Sequence, residues 1–145
     1  MVVAAPTATF GLPEANVGLY AGAGGLSRIA RSAGLQVASE VALTARRISP
    51  DEAKQWGLIN RISKTPASVV REALDVALLI ASKSPDAIIV SRSGIRQAFE
   101  TSSVERATQI TEQQLAPSLF KGENFRIGVR AFAEKKAPQW VPSRL

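Results

Sequence analysis

The chain has 145 residues, 46% of them hydrophobic and 21% charged, which suits a domain with a buried core and argues against a disordered tail. It contains no Cys and no His, so a Ser-His-Asp or Cys-His nucleophile system cannot be assembled, no metal site is expected, and proton transfer falls to carboxylates, Lys, the single Tyr20 or backbone groups. The net charge of +6 is densest in residues 121–145, which carry six basic and two acidic groups; with aromatics at 6%, the pattern suits small anions, and nucleic acid is not expected as a partner.

Met1 to Ala5 is apolar but far shorter than the roughly 20 residues of a membrane span, and no later run approaches that length, so no membrane contact is expected. Thr7-Ala8-Thr9-Phe10 reads as extended, broken by Gly11-Leu12-Pro13. A second short apolar run, Ala15 to Tyr20, leads to Gly22-Ala23-Gly24-Gly25 and then a helix pattern. Leu26, Ile29 and Ala30 fall at helical spacing there, with Gly34 as the stop. Val37 to Thr44 repeats that pattern. Ser49-Pro50-Asp51-Glu52 is a capping box with proline at the first helical position, opening a helix to about Gly57, and Leu58 to Ile62 then reads as a short extended segment. Thr65-Pro66 and Ser84-Pro85 repeat the cap-then-proline device and predict helices at about 66–83 and 85–100. Further helices are expected at about 103–115 and 123–136, the last with Phe125, Val129 and Phe132 at i, i+4 and i+7. Strands this few do not make an independent sheet. They read as the last pieces of a sheet whose other strands lie outside the chain.

Two places could carry chemistry. Glycines opening a helix let a polar or negative group reach the free N–H groups at the positive end of the dipole. Gly22 to Gly25 is not a P-loop, since Leu26-Ser27-Arg28 follows where Gly-Lys-Ser/Thr is required. Nor is it a dinucleotide fingerprint, since Ser27 stands where the third glycine belongs. The same glycines also permit tight packing of a helix on its neighbour. Glu14 follows the Gly11-Leu12-Pro13 turn and precedes the glycine loop by eight positions, while the other acids before residue 65 belong to a helix pattern (Glu40) or to the cap (Asp51, Glu52). By elimination Glu14 is the candidate for proton transfer, against the plainer reading of a solvated carboxylate at a turn.

Phe10-Gly11-Leu12-Pro13-Glu14, Gly18-Leu19, Gly22-Ala23-Gly24-Gly25, Leu43 to Ser49, Glu52-Ala53 and Gly57-Leu58-Ile59-Asn60 closely resemble the enoyl-CoA hydratase/isomerase (crotonase) family in order and spacing. Ala131 to Lys136 and the Pro-x-Trp ending resemble the family's C-terminus, so the resemblance covers nearly the whole chain but only the second half of the family's domain. It implies an α/β fold of the ClpP/crotonase spiral ββα type, here its last strands with part of the core over residues 1–64 and a helical trimerisation region over 65–145. It implies an enoyl-CoA hydratase or isomerase of fatty-acid oxidation or a related secondary-metabolite pathway, acting on an acyl-CoA thioester with no cofactor beyond the coenzyme A of the substrate. Glu14 matches the glutamate that exchanges a proton with substrate carbon. The amide of Gly22 matches one that helps hold the catalytic water, and Lys135 matches a lysine that reaches the CoA phosphates of a neighbouring subunit.

The family's other catalytic glutamate and both oxyanion-hole N–H donors lie upstream of the matched part, so the chain is expected to be incomplete as given and inactive alone. Ala21 replaces the proline that usually begins the loop, and Ile127 an acidic residue common before the C-terminal glycine. Expected assemblies are a homotrimer or dimer of trimers, or a hetero-oligomer. The alternative function is a non-catalytic crotonase-like subunit that assembles with full-length relatives. Finally, Ser143-Arg144-Leu145 is a variant of the Ser-Lys-Leu tripeptide read by peroxisomal import receptors at a free C-terminus, so that receptor is an expected partner and the peroxisome the expected location.

Overall fold

Val3–Ala4 (β1) runs parallel to Arg61–Ile62 (β2), with Val3 opposite Arg61 and Ala4 opposite Ile62. Parallel neighbours need a long crossover. Here it is filled by a 3₁₀ helix, Pro13–Val17, and three α-helices: α1, Gly25–Ala33; α2, Leu35–Thr44; and α3, Pro50–Gln55. The computed structural model describes all 145 residues and divides them into two units, Met1–Val76 and Ala77–Leu145. The division falls inside α4, Val69–Ala81.

In the first unit, Ala4, Ala53 and Ile59 form a small buried cluster, with Ala8, Phe10, Leu58 and Ile62 packed against it. The ladder extends beyond the strands: Asn60 donates its N–H to Val2 at 2.9 Å and Ser63 to Ala4 at 2.8 Å, while the Asn60 side chain accepts from the Val2 N–H at 2.7 Å. The expected capping box is present in full. Ser49 Oγ accepts from the Glu52 N–H at 3.2 Å, and Glu52 Oε2 accepts from the Ser49 N–H at 2.8 Å. Arg46 ties this cap to α2, reaching Glu40 at 2.7 Å and Glu52 at 2.8 Å while its guanidinium sits 5.4 Å from the Trp56 ring centroid. Ser49, then Arg46, hold the Glu52 carboxyl below its ordinary pKa, because hydrogen bonds and a neighbouring cation favour the charged form.

In the second unit, α5 (Pro85–Glu100) starts under the Ser84 cap and packs on α6 (Val104–Gln114), with Val90 and Ala107 buried. α7 (Ala116–Lys121) and α8 (Glu123–Ala133) follow, and the Phe120 and Phe125 rings meet edge to face, 5.3 Å between centroids. The buried Asn124 donates to Asp86 and to the Val141 carbonyl, each at 3.0 Å, and accepts the Val141 N–H at 3.0 Å. The Trp140 indole donates to the Ser82 carbonyl at 3.0 Å, so the segment after α8 is held at two points.

Four expectations change. Thr7 to Phe10 is not a strand; only Phe10 pairs, in an isolated antiparallel bridge with Ile48 through bonds of 3.0 and 2.8 Å. Ala15–Val17 belongs to the 3₁₀ helix. Thr65 does accept the Ser68 N–H at 3.1 Å in the manner of a cap, yet the α-helix begins three residues later than Pro66, at Val69, because Glu72 takes both the Lys64 N–H and the Ser68 hydroxyl and closes a turn there. α7 was not anticipated; Pro117 occupies the helix's second position, where proline loses no intrahelical bond.

Candidate functional site

Glu14 is the second residue of the 3₁₀ helix, whose first position is Pro13, a residue already set at a helical φ. Gly18 terminates this helix at φ +73°, and the Leu19 N–H returns to the Glu14 carbonyl at 3.0 Å, so residues 14–19 form a closed turn. The 3₁₀ helix packs on α2. The residue is half-buried, and its Oε2 is enclosed by protein with no hydrogen-bond donor against it. An enclosed polar oxygen with no partner costs free energy, so Oε2 is open to a partner that a bound substrate brings. Next to it, Val17, Leu19 and Tyr20 are all exposed. The plainer reading of Glu14 as a solvated turn carboxylate does not fit an enclosed oxygen.

The glycine loop follows directly. Gly24 caps α1 at φ +89°, a conformation that suits glycine. A side chain at Gly25 would meet Leu12 at 3.0 Å, which shows that this glycine serves close packing of α1 against the segment before Glu14. Arg28 folds back over the loop and donates to the Ala23 carbonyl at 3.2 Å. The Gly22 N–H points to the Tyr20 carbonyl at 2.8 Å, a bond spanning only two residues. A water at this amide would therefore share the donor with Tyr20.

Structure and sequence thus place Glu14 and Gly22 in one continuous stretch of the first unit. A recess of about 570 Å³ in that unit, lined by Phe10, Gly25, Arg28, Ile29, Ile48 and Leu58, holds no acidic residue and is not the Glu14 site. Lys135 lies in the second unit, just past α8, with φ +55°. It completes a tight helix ending in which the Lys135 N–H reaches Phe132 at 3.2 Å and the Lys136 N–H reaches Ala131 at 2.9 Å. Glycine is the usual occupant of that position, so a lysine there costs about 1–2 kcal/mol of backbone strain. Ser143, Arg144 and Leu145 follow the anchored Val141, and the Leu145 N–H reaches Ser143 Oγ at 3.1 Å. Sequence reasoning noted Tyr20 only as a titratable group; its place over the glycine loop depends on the turn from 14 to 20, which has no distinctive composition.

Three comparisons with known proteins bear on the site. The family model described as enoyl-CoA hydratase/isomerase matches residues 1–142. The mevalonyl-coenzyme A hydratase of Aspergillus fumigatus is 42% identical over 145 residues, all of this chain and 53% of that protein. The corresponding protein of Beauveria bassiana is 41% identical over all of this chain and 52% of its own length. A 2,3-dehydroadipyl-CoA hydratase of Escherichia coli is 35% identical over 97% of this chain and 54% of its own. Among solved structures, an enoyl-CoA hydratase of Geobacillus kaustophilus superposes with a TM-score of 0.91 at 31% identity, covering 99% of this chain and 55% of that one. A probable enoyl-CoA hydratase/isomerase of Mycobacterium abscessus gives 0.87 at 35% identity, over 97% and 54%. The chain therefore spans about half the length of the relatives it matches. The expected crotonase-like fold is shown by these likenesses for that half.

Proposed function

Since the chain belongs to the enoyl-CoA hydratase/isomerase family, we propose that it supplies the proton-transferring half of an acyl-CoA hydratase site, with Glu14 as the catalytic group. The observation that carries this reading is the enclosed, donor-free Oε2 of Glu14 on a closed turn eight residues before the glycine loop. In hydration, water adds across the carbon–carbon double bond conjugated to the thioester: the oxygen bonds the β-carbon, and the α-carbon receives a proton from the Glu14 carboxyl. The carboxylate so formed is recharged by the proton the water gives up. In the dehydrating direction the carboxylate removes the α-proton, and the carboxyl so formed gives a proton to the β-hydroxyl, which leaves as water. Isomerisation needs the same group to carry a proton from one carbon to another.

The names of two relatives support a branched, hydroxylated acyl group of the mevalonyl type as substrate. The basic balance of residues 121–145, in which Lys135 lies, supports the reading of a cation for the CoA phosphates of a neighbouring subunit. A trimer or dimer of trimers, homomeric or mixed with relatives, is proposed on the apolar faces left open, including Phe132, 89% exposed on α8. No cofactor beyond the coenzyme A of the substrate enters the scheme. Ser143-Arg144-Leu145 supports a peroxisomal home for it.

The experiment joins this chain behind the N-terminal portion of the Aspergillus fumigatus relative and measures hydration of a 2-enoyl-CoA. Glu14→Gln should lower kcat by about a hundredfold or more, within the usual range for a lost general acid–base. Equal kcat in the two proteins would remove Glu14 from the mechanism.

A further inference from the structure

Tyr20 is the only phenol of the chain. Its position is set from both sides. It follows directly on the closed turn from Glu14 to Leu19, and the Gly22 N–H, donating to its carbonyl at 2.8 Å, folds the glycine loop back under it. The ring then lies over Gly22 so closely that a Cβ on that residue would meet Cζ at 3.0 Å, Cε2 at 3.1 Å and Oη at 3.2 Å. The missing side chain of Gly22 is what admits the ring. The residue is nevertheless 78% exposed, and its hydroxyl makes no hydrogen bond within the chain. Packing on Gly22 needs only the ring, so the hydroxyl is the feature that local structure leaves unexplained.

Resting on the hydratase reading above, we infer that Tyr20 is a specificity residue whose phenol hydrogen-bonds a hydroxyl carried by the acyl group, so that the site favours hydroxylated acyl thioesters over plain alkyl ones. A phenol donates and accepts, as an alcohol does, so the pair can form in either direction. One such bond discriminates because a substrate that lacks the hydroxyl leaves the site's polar group unpaired. A mevalonyl group, named for two relatives, carries one hydroxyl on the carbon that reacts and another at the far end of the chain. The far hydroxyl is the one a group outside the reacting pair can read.

The test uses the joined full-length protein and two thioesters in the dehydrating direction, mevalonyl-CoA and its analogue lacking only the terminal hydroxyl. Tyr20→Phe keeps the ring over Gly22 and removes the phenol oxygen. The ratio of kcat/KM for the two thioesters should fall about tenfold toward the analogue, the size of one hydrogen bond of ordinary strength, with the change carried by the hydroxylated substrate. A Tyr20→Phe protein with an unchanged ratio, whether both rates fall together or neither does, overturns the assignment and leaves Tyr20 a loop-shaping residue. If the unsubstituted protein shows no dehydration of either thioester that depends on Glu14, the hydratase reading itself fails, and the Tyr20 assignment with it.

Discussion

Ala45 ends α2 in the left-handed region, at φ +52° and ψ +21°, and this turn is what brings Arg46 back onto Glu40 and Glu52. An L-residue with a Cβ pays about 1–2 kcal/mol to stay there. Glycine pays none of that, but its looser unfolded chain takes back about 0.4–1 kcal/mol. Ala45→Gly should therefore stabilise the first unit by roughly 0.5–1 kcal/mol. Ala42→Gly is the matched control, placed inside α2 with no left-handed backbone, and should destabilise by about 0.5–1 kcal/mol. The two variants remove the same methyl group three residues apart, so only backbone conformation separates their signs. Urea unfolding at equal protein concentration, followed by circular dichroism, gives both midpoints. If the two substitutions shift the midpoint in the same direction, the strain at Ala45 is not a property of the folded protein and the account of the Arg46 turn fails.

Three further outcomes follow from the same structure. The Glu52 pKa is depressed by Ser49 and then Arg46, so its share of stability is present above the ordinary carboxylate range and lost as pH falls through the lower folded value; Glu52→Gln should flatten that part of the stability–pH curve, and an unaltered curve would contradict it. Phe132→Asp on α8 should shift the protein to a smaller species by size-exclusion chromatography coupled to light scattering, whereas an unchanged mass would show that this face is not where copies meet. A fluorescent protein fused in front of the chain should enter peroxisomes and return to the cytosol when Leu145 is deleted; a diffuse signal with the tail intact would make the tripeptide a coincidence.

The elements legible in the sequence were those with local chemistry. Ser49-Pro50-Asp51-Glu52 declares its helix because cap, proline and acid act within four residues, and Ser84-Pro85 does the same for α5. Thr65-Pro66 misled by three residues because Glu72, a more distant partner, takes the Lys64 N–H and the Ser68 hydroxyl and closes a turn ahead of the helix. β1 was not anticipated, since two residues whose pairing lies near position 61 leave no periodic pattern. Glu14 could be singled out by elimination in a chain without His, and the motif around it pointed to the family. Its enclosed oxygen could not be foreseen, because enclosure arises from tertiary packing that no short window encodes. The Schellman ending that strains Lys135 was equally silent, because glycine is its usual signal and a lysine stands there instead.

The central claim is that Glu14 moves a proton at the substrate's α-carbon, and deuterium labelling tests it most directly. When the joined full-length protein hydrates a 2-enoyl-CoA in deuterium oxide, the 3-hydroxyacyl product should carry one deuterium at the α-carbon on a single face. Glu14→Gln should slow the appearance of that label by about a hundredfold or more. Label appearing at the same rate and on the same face in the Glu14→Gln protein would contradict the account.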